Sequence, residues 1–297
     1  MARSPERSFF LAADRSREQL ERDYATRNSV PSVPALIADW QVRTAEAKRS
    51  HGGYLEDGLA YGAHPRERID LYRAPGAVDG PVLVFIHGGF WQAVSREESG
   101  LIAPNWTKLG VNVAVLDYAL APEVSLTTIT EQALRGLNWL SGQAARLRLD
   151  ASRIVVAGHS AGGQLAAMSR VSQTSAMHLA GLVLISGVYD LAHIARSYVN
   201  DVVKMSDDEV QALSPAYHWP KSAVPIFVTF AEHDPLGFHE QSRALSWAWR
   251  EHGCDQGAVM IPERNHFSIL DDFADPRSVI GAAARRMIGP IAAPTPP

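Results

Sequence analysis

The stretch Arg153-Ile154-Val155-Val156-Ala157-Gly158-His159-Ser160-Ala161-Gly162-Gly163-Gln164-Leu165-Ala166-Ala167-Met168 constrains this chain more than any other. It opens with a short apolar run rich in β-branched residues, which reads as a buried strand. It closes with small and apolar residues that favour a helix. Between them, Gly158-x-Ser160-x-Gly162 demands a sharp strand-to-helix turn that lifts one hydroxyl clear of a sheet. A serine at such a tip takes a strained conformation, and the flanking positions tolerate no bulk. Ser160 would stand at a helix N-terminus, where unpaired N–H groups favour developing negative charge. Glycine-rich turns produce the same pattern by chance. The strand before and the helix after argue against chance here.

The rest of the chain supplies the sheet that this turn needs. Residues 55–61 and 68–72 alternate well enough for a first hairpin, and 81–87 and 111–118 read as buried strands. Further strands are expected at 182–186, 224–231 and 258–261. Helical segments fall between them. Residues 131–148 carry Ala133, Leu134, Leu137, Leu140, Ala144 and Leu147 on one side, and helices are also expected at 241–252 and 279–288. Apolar strands alternating with helices predict an α/β fold, a mostly parallel sheet with helices on both faces.

The domain spans 51–289 on this reading. Residues 190–223 hold more chain than one crossover needs. Ser206-Asp207-Asp208-Glu209 predicts a capped helix start within them. That interval is expected to form a small lid insertion above the carboxyl ends of the strands, where ligands bind in open sheets. Residues 1–50 predict two helices, at 16–27 and 35–50, broken by Asn28-Ser29-Val30-Pro31-Ser32-Val33-Pro34. They are expected to pack against the core; cover over the mouth of a site is the other arrangement. Residues 290–297 read as a disordered Pro/Ala tail.

Composition sets bounds on function. A chain of 297 residues, 46% hydrophobic and 20% charged, has ample material for a large core. A net charge of −4 with interspersed signs gives neither a nucleic-acid footprint nor a patch for anionic membranes. Cys254 is the one cysteine, so no internal disulfide is available, and it reads as a free thiol without a nucleophile motif. Residues 9–13 are too short for a signal core and are followed by Asp14 and Arg15. No apolar run reaches transmembrane length. A soluble, cytoplasmic protein with a small-molecule partner is expected. Exposed aromatic surface would allow a homodimer.

A serine hydroxyl is a weak nucleophile until a base takes its proton, and a histidine base is held in one tautomer by a carboxylate. The order expected after such a turn is serine, acid, histidine. Asp234 lies just beyond the 224–231 strand, in a turn stiffened by Pro235. Glu232, two residues away, and Asp190, after the preceding strand, are its rivals; each also reads as a loop charge or a helix cap. Of eleven histidines, His266 follows the last strand. His233 and His239 flank the acid loop and read as surface or supporting residues.

An oxyanion needs two N–H donors. One is expected from Ala161, the other from Gly88 or Gly89 in His87-Gly88-Gly89-Phe90-Trp91. Phe90 and Trp91 read equally as pocket wall or core. No HExxH, CxxC, acidic metal loop, Walker A or GxGxxG is present, so neither a metal nor a cofactor is expected.

His87-Gly88-Gly89-Phe90-Trp91-Gln92, Gly158-His159-Ser160-Ala161-Gly162-Gly163, Ser186-Gly187-Val188-Tyr189-Asp190-Leu191 and the Asp234/His266 pair resemble the branch of the α/β-hydrolase superfamily that contains kynurenine formamidase (arylformamidase). That branch is similar to the hormone-sensitive-lipase-like carboxylesterases. The likeness runs from about Ile69 to His266 and includes Tyr198-Val199-Asn200-Asp201 and Leu213-Ser214-Pro215. Phe90 stands where the lipase-like relatives usually carry a third glycine or an alanine.

The resemblance implies an α/β-hydrolase fold and hydrolysis of an N-formyl aryl amine, ideally N-formylkynurenine, to amine and formate. Ser160 would be acylated, and His266 would assist the attacking water. Phe90, Trp91, His159 and Tyr189 would border the pocket. Arg196, Lys204 and Arg96 are the candidates for the substrate's carboxylate. A general carboxylesterase for short-acyl or aryl esters uses the same machinery. A non-catalytic binding scaffold is the remaining reading.

Overall fold

Chain segments rich in Val, Ile and Leu can lie side by side only where both faces of the resulting sheet are covered. The computed structural model of the chain describes residues 15–172, 177–254 and 256–291 and shows how that cover is arranged. β1 (Leu55–Ala60) and β2 (Arg68–Tyr72) form the expected antiparallel hairpin. β3 (Gly80–Ile86), β4 (Asn112–Leu116), β5 (Leu149–His159), β6 (Gly181–Ile185), β7 (Ile226–His233) and β8 (Ala258–Asn265) run parallel, and β2 joins them antiparallel to β4. The order is β1-β2-β4-β3-β5-β6-β7-β8, which places β5 in the interior, between β3 and β6.

Each inner strand divides its residues between two cores, because successive side chains point to opposite faces. Val82, Val84, Ile86, Ile154 and Val156 pack on one side, with α4 (Leu126–Gly142), α5 (Ala161–Val171) and α9 (Leu236–Ala248). Leu83, Phe85, Val155, Ala157 and Ile185 pack on the other. That side is covered by α2 (Val33–His51), α3 (Ala103–Lys108), α10 (Ile269–Ala274) and α11 (Val279–Ile288).

Helix boundaries differ from the sequence expectation in instructive ways. α4 starts five residues earlier than the pattern suggests, since Ser125 caps it by accepting from Thr128 N. It ends at Gly142, yet Ala144 and Leu147 remain buried. The apolar stripe therefore continues through a turn, and Leu149 already opens β5. α9 likewise begins at Leu236, directly after Pro235. α10 is six residues long, too short for periodicity to mark it.

The 190–223 interval forms α6 (Leu191–Ala195), α7 (Asn200–Val203) and α8 (Asp207–Leu213). Ser206 and Glu209 make the expected capping box on α8. α1 (Arg17–Asp23) and α2 precede the sheet. Cys254 is a buried thiol outside any disulfide among the described residues. Among the described residues, no helix is long and apolar enough to cross a membrane. The readings of residues 9–13 and of most of the 290–297 tail fall outside the described residues.

Candidate active site

Ser160 joins β5 to α5 at φ 56°, ψ −121°, a backbone region that L-residues rarely occupy. The turn is fixed from both sides. Ser160 N donates to Ile185 O at 2.9 Å, and Gly163 N donates to Ser160 O at 2.9 Å. The flanking glycines are required by space. A Cβ on Gly158 would lie 2.0 Å from Gly162 O, and one on Gly162 would lie 2.1 Å from Ile86 O.

Asp234 follows the end of β7. Its Oδ1 accepts from His266 Nδ1 at 2.7 Å, and its Oδ2 accepts from Ser186 Oγ and Ala231 N, each at 2.7 Å. Burial alone would raise this carboxyl. His266, the Ser186 hydroxyl and the Ala231 amide outweigh burial and hold it below the usual carboxylate range. With Nδ1–H committed to Asp234, His266 has Nε2 left for a second partner. The ring packs against Phe238 at 4.3 Å between centroids.

The rivals have other duties. Asp190 caps α6 by accepting from Ala192 N and also accepts from Tyr217 Oη. Glu232 accepts from Glu263 N across the β7–β8 ends. His233 is exposed, and His239 packs on Phe230.

His159 is buried beside His266, and its Nε2–H donates to the His266 carbonyl at 2.7 Å. Burial, followed by the neighbouring His266 charge, pushes its imidazole down to about 3. The ring is therefore neutral at physiological pH and braces the loop that carries His266.

The loop after β3 turns on a run of positive φ values: Gly89 at 94°, Phe90 at 49° and Trp91 at 58°. Gln92 N and Ala93 N both donate to Gly89 O. Gly88 lies against the elbow, since a Cβ there would sit 2.9 Å from Ser160 Cβ. His87 anchors the loop. Its ring stacks on Tyr118 at 4.2 Å, and its nitrogens face Asp117 Oδ1 at 3.1 Å and Gly88 O at 3.0 Å. Burial pushes the Asp117 carboxyl up, but His87 and Arg66 bring it below its ordinary value. Ala161 is the first residue of α5, so its N–H has no acceptor within the helix.

A cavity of about 280 Å³ opens over these groups. Ser160, His266, Gly88, Gly89, Phe90 and His159 line it. Trp91 and Tyr189, expected at its border, do not. Both are fully buried in the core. Adjacent residues of the tight turn point apart, so Phe90 faces the cavity. Trp91 instead donates to Gln164 Oε1 at 3.2 Å. The opposite wall comes from Val33, Ile37 and Trp40 of α2, so part of the N-terminal segment encloses the cavity.

The three cations expected near a substrate carboxylate lie elsewhere. Arg196 donates to Arg15 O, Lys204 is exposed at the end of α7, and Arg96 pairs with Asp57, Asp70 and Glu97. Those three carboxylates bring oxygens within 4.8 Å of one another, the spacing of a cation site, but Lys48 and Arg96 already bind all of them. The cation that does line the cavity is Arg27, on a 3-10 turn before α2. No sequence motif marks it. Ser186 was legible only as part of a family-like segment, with no hint that its hydroxyl holds Asp234.

Residues 83–269 match the model of a family described by the alpha/beta hydrolase fold. The chain belongs to the α/β-hydrolase family. Among α/β-hydrolases it is 31% identical to the kynurenine formamidase of Drosophila melanogaster, over 86% of this chain and 93% of that protein. It is 29% identical to the kynurenine formamidase of Danio rerio, over 92% of this chain and 97% of that protein. A crystal structure of a candidate thioesterase from a Silicibacter species superposes with a TM-score of 0.79 at 28% identity, covering 89% of this chain and 98% of the other. The expected fold and the resemblance to the formamidase branch both hold, and the protein is a hydrolase of this family.

Proposed function

We propose that this α/β-hydrolase cleaves small aryl formamides such as N-formylkynurenine through an acyl-enzyme on Ser160, with Asp234 and His266 completing the triad. One observation carries the reading. The strained Ser160 turn and His266, which Asp234 holds through a 2.7 Å hydrogen bond, line one cavity. Likeness to two kynurenine formamidases along nearly their whole length supports the substrate class.

In this mechanism Ser160 Oγ attacks the formyl carbon while His266 Nε2 takes its proton. The oxyanion is received by the N–H groups of Ala161 and of Gly88 or Gly89. The C–N bond breaks, and His266 returns the proton to the departing aryl amine. Water then adds to the formyl ester, again deprotonated by His266, and formate leaves with Ser160 restored. A formyl carbon carries only hydrogen beside its oxygen. Close packing by Phe90 therefore admits it and crowds larger acyl groups.

The test is side-by-side kinetics of the purified protein on N-formylkynurenine and p-nitrophenyl acetate. A higher kcat/KM on the formamide is expected. Ser160→Ala should lower kcat by roughly 1,000-fold or more on either substrate. Strong ester turnover without formamide cleavage would move the protein to the esterases. Activity surviving Ser160→Ala would overturn the triad.

A further inference from the structure

The cavity over Ser160 carries a charge at its mouth that the hydrolytic steps do not use. Ser160 is 2% exposed, whereas Arg27 is exposed, and both line the same cavity. The space therefore runs from a buried nucleophile to a cationic rim. The Arg27 guanidinium lies 5.1 Å from the centre of the Tyr198 ring. Tyr198 is itself fixed, donating through Oη to Tyr24 O and meeting the edge of Phe90. An aromatic seat orients a guanidinium while leaving its N–H fork open. Among the described residues, no carboxylate pairs with Arg27.

The other charged side chain in the lining, among the described residues, is Glu98. It is buried and already accepts from Gln41 Nε2 and Ser95 Oγ, each at 2.7 Å. An anionic group placed beside Glu98 is repelled, and one placed at the rim meets Arg27. Most of the remaining lining is apolar, with Ile37, Trp40, Phe90 and Phe267 suited to an aromatic ring.

We infer that Arg27 is the specificity residue of this hydrolase, selecting substrates whose aromatic leaving group carries a carboxylate on a side chain. The inference rests on the proposed acyl chemistry for the position of the scissile bond. It adds a feature of the leaving group: the amine released is an aryl amine that bears a carboxylate. A guanidinium–carboxylate contact at an exposed rim is screened by salt, so the selection weakens as ionic strength rises.

The experiment measures the ratio of kcat/KM for N-formylkynurenine to that for formanilide, which lacks the carboxylate. Arg27→Gln should lower this ratio about 10-fold, chiefly through KM of the carboxylate-bearing substrate. Arg27→Lys should restore part of it. Raising the salt concentration should lower the ratio in the native protein and leave it flat in Arg27→Gln. A ratio unmoved by Arg27→Gln, or one restored no better by lysine than by glutamine, overturns the inference. The same variants are assayed on phenyl acetate and 3-(2-acetoxyphenyl)propanoate. If no formamide is cleaved but the anionic ester is preferred in an Arg27-dependent way, the formamidase reading fails and the role of Arg27 stands. Equal handling of the two esters in that case, or failure on all four substrates, overturns both.

Discussion

His159, enclosed in the serine turn, ties two strand ends together through its bond to the His266 carbonyl. That position has a consequence for pH. The folded protein holds this imidazole down to about 3, while in the unfolded chain it titrates near its ordinary value of about 6.5. Below about pH 6.5 the unfolded state binds the extra proton, so stability is lost as pH falls from there toward the folded value. The expected loss between pH 7 and 5 is about 2 kcal/mol. Asp234 and Asp117, both held low, add to the loss in more acidic solution. Urea unfolding of the native protein and of His159→Gln at pH 7, 6 and 5 checks this. The variant is expected to start less stable and to lose less on acidification; parallel slopes would rule His159 out as the source. Residues of this kind separate what was readable from what was not. Ser160, Asp234 and His266 stand immediately after β5, β7 and β8, so chain order is enough to propose them. Ser186 meets Asp234 from 48 residues away, and Arg27 reaches the cavity from the N-terminal segment. No local pattern records a distance between strand ends.

The strand–turn–helix element tolerates almost no added volume on its inner side. Gly162 backs onto the end of β3, and both atoms nearest to a new Cβ there are main-chain oxygens, of Ile86 and His87. Backbone in the middle of a sheet cannot move aside. Gly162→Ala is therefore expected to lower stability by about 3 kcal/mol or more, or to prevent accumulation of folded protein. Gly142, at the end of α4, has open space where its Cβ would be. Gly142→Ala should be neutral or slightly stabilising. Thermal melts of the two variants make the comparison, and similar melting temperatures would contradict the packing argument. The sequence pattern resolved the long elements well because alternating burial leaves a strong period. It missed α10, which has only six residues, and misplaced α4, whose apolar stripe outlasts its helical backbone.

Across the whole molecule, Gln241 links three parts of the chain that are remote in sequence. Its Oε1 accepts from Tyr189 N and Asp190 N, at the start of the 190–223 interval. Its Nε2 donates to Asp190 O and to Tyr24 Oη, in the N-terminal segment. Gln241→Leu removes all four bonds and leaves buried N–H groups without partners. The expected loss is about 2–4 kcal/mol, with faster amide exchange in residues 189–191 than in β5. Exchange that rises equally everywhere would show that Gln241 acts only on global stability. Cross-links of this type hold the N-terminal segment over a sheet to which its described residues contribute no strand. The cavity is thus assembled from two tracts: the sheet domain, through its strand ends, residues 88–102 and α10, and residues 26–40, which add a wall and rim. Sequence drift in the second tract can change what enters without disturbing the backbone of the first. A lineage built on this plan can exchange one substrate for another while inheriting its chemistry intact.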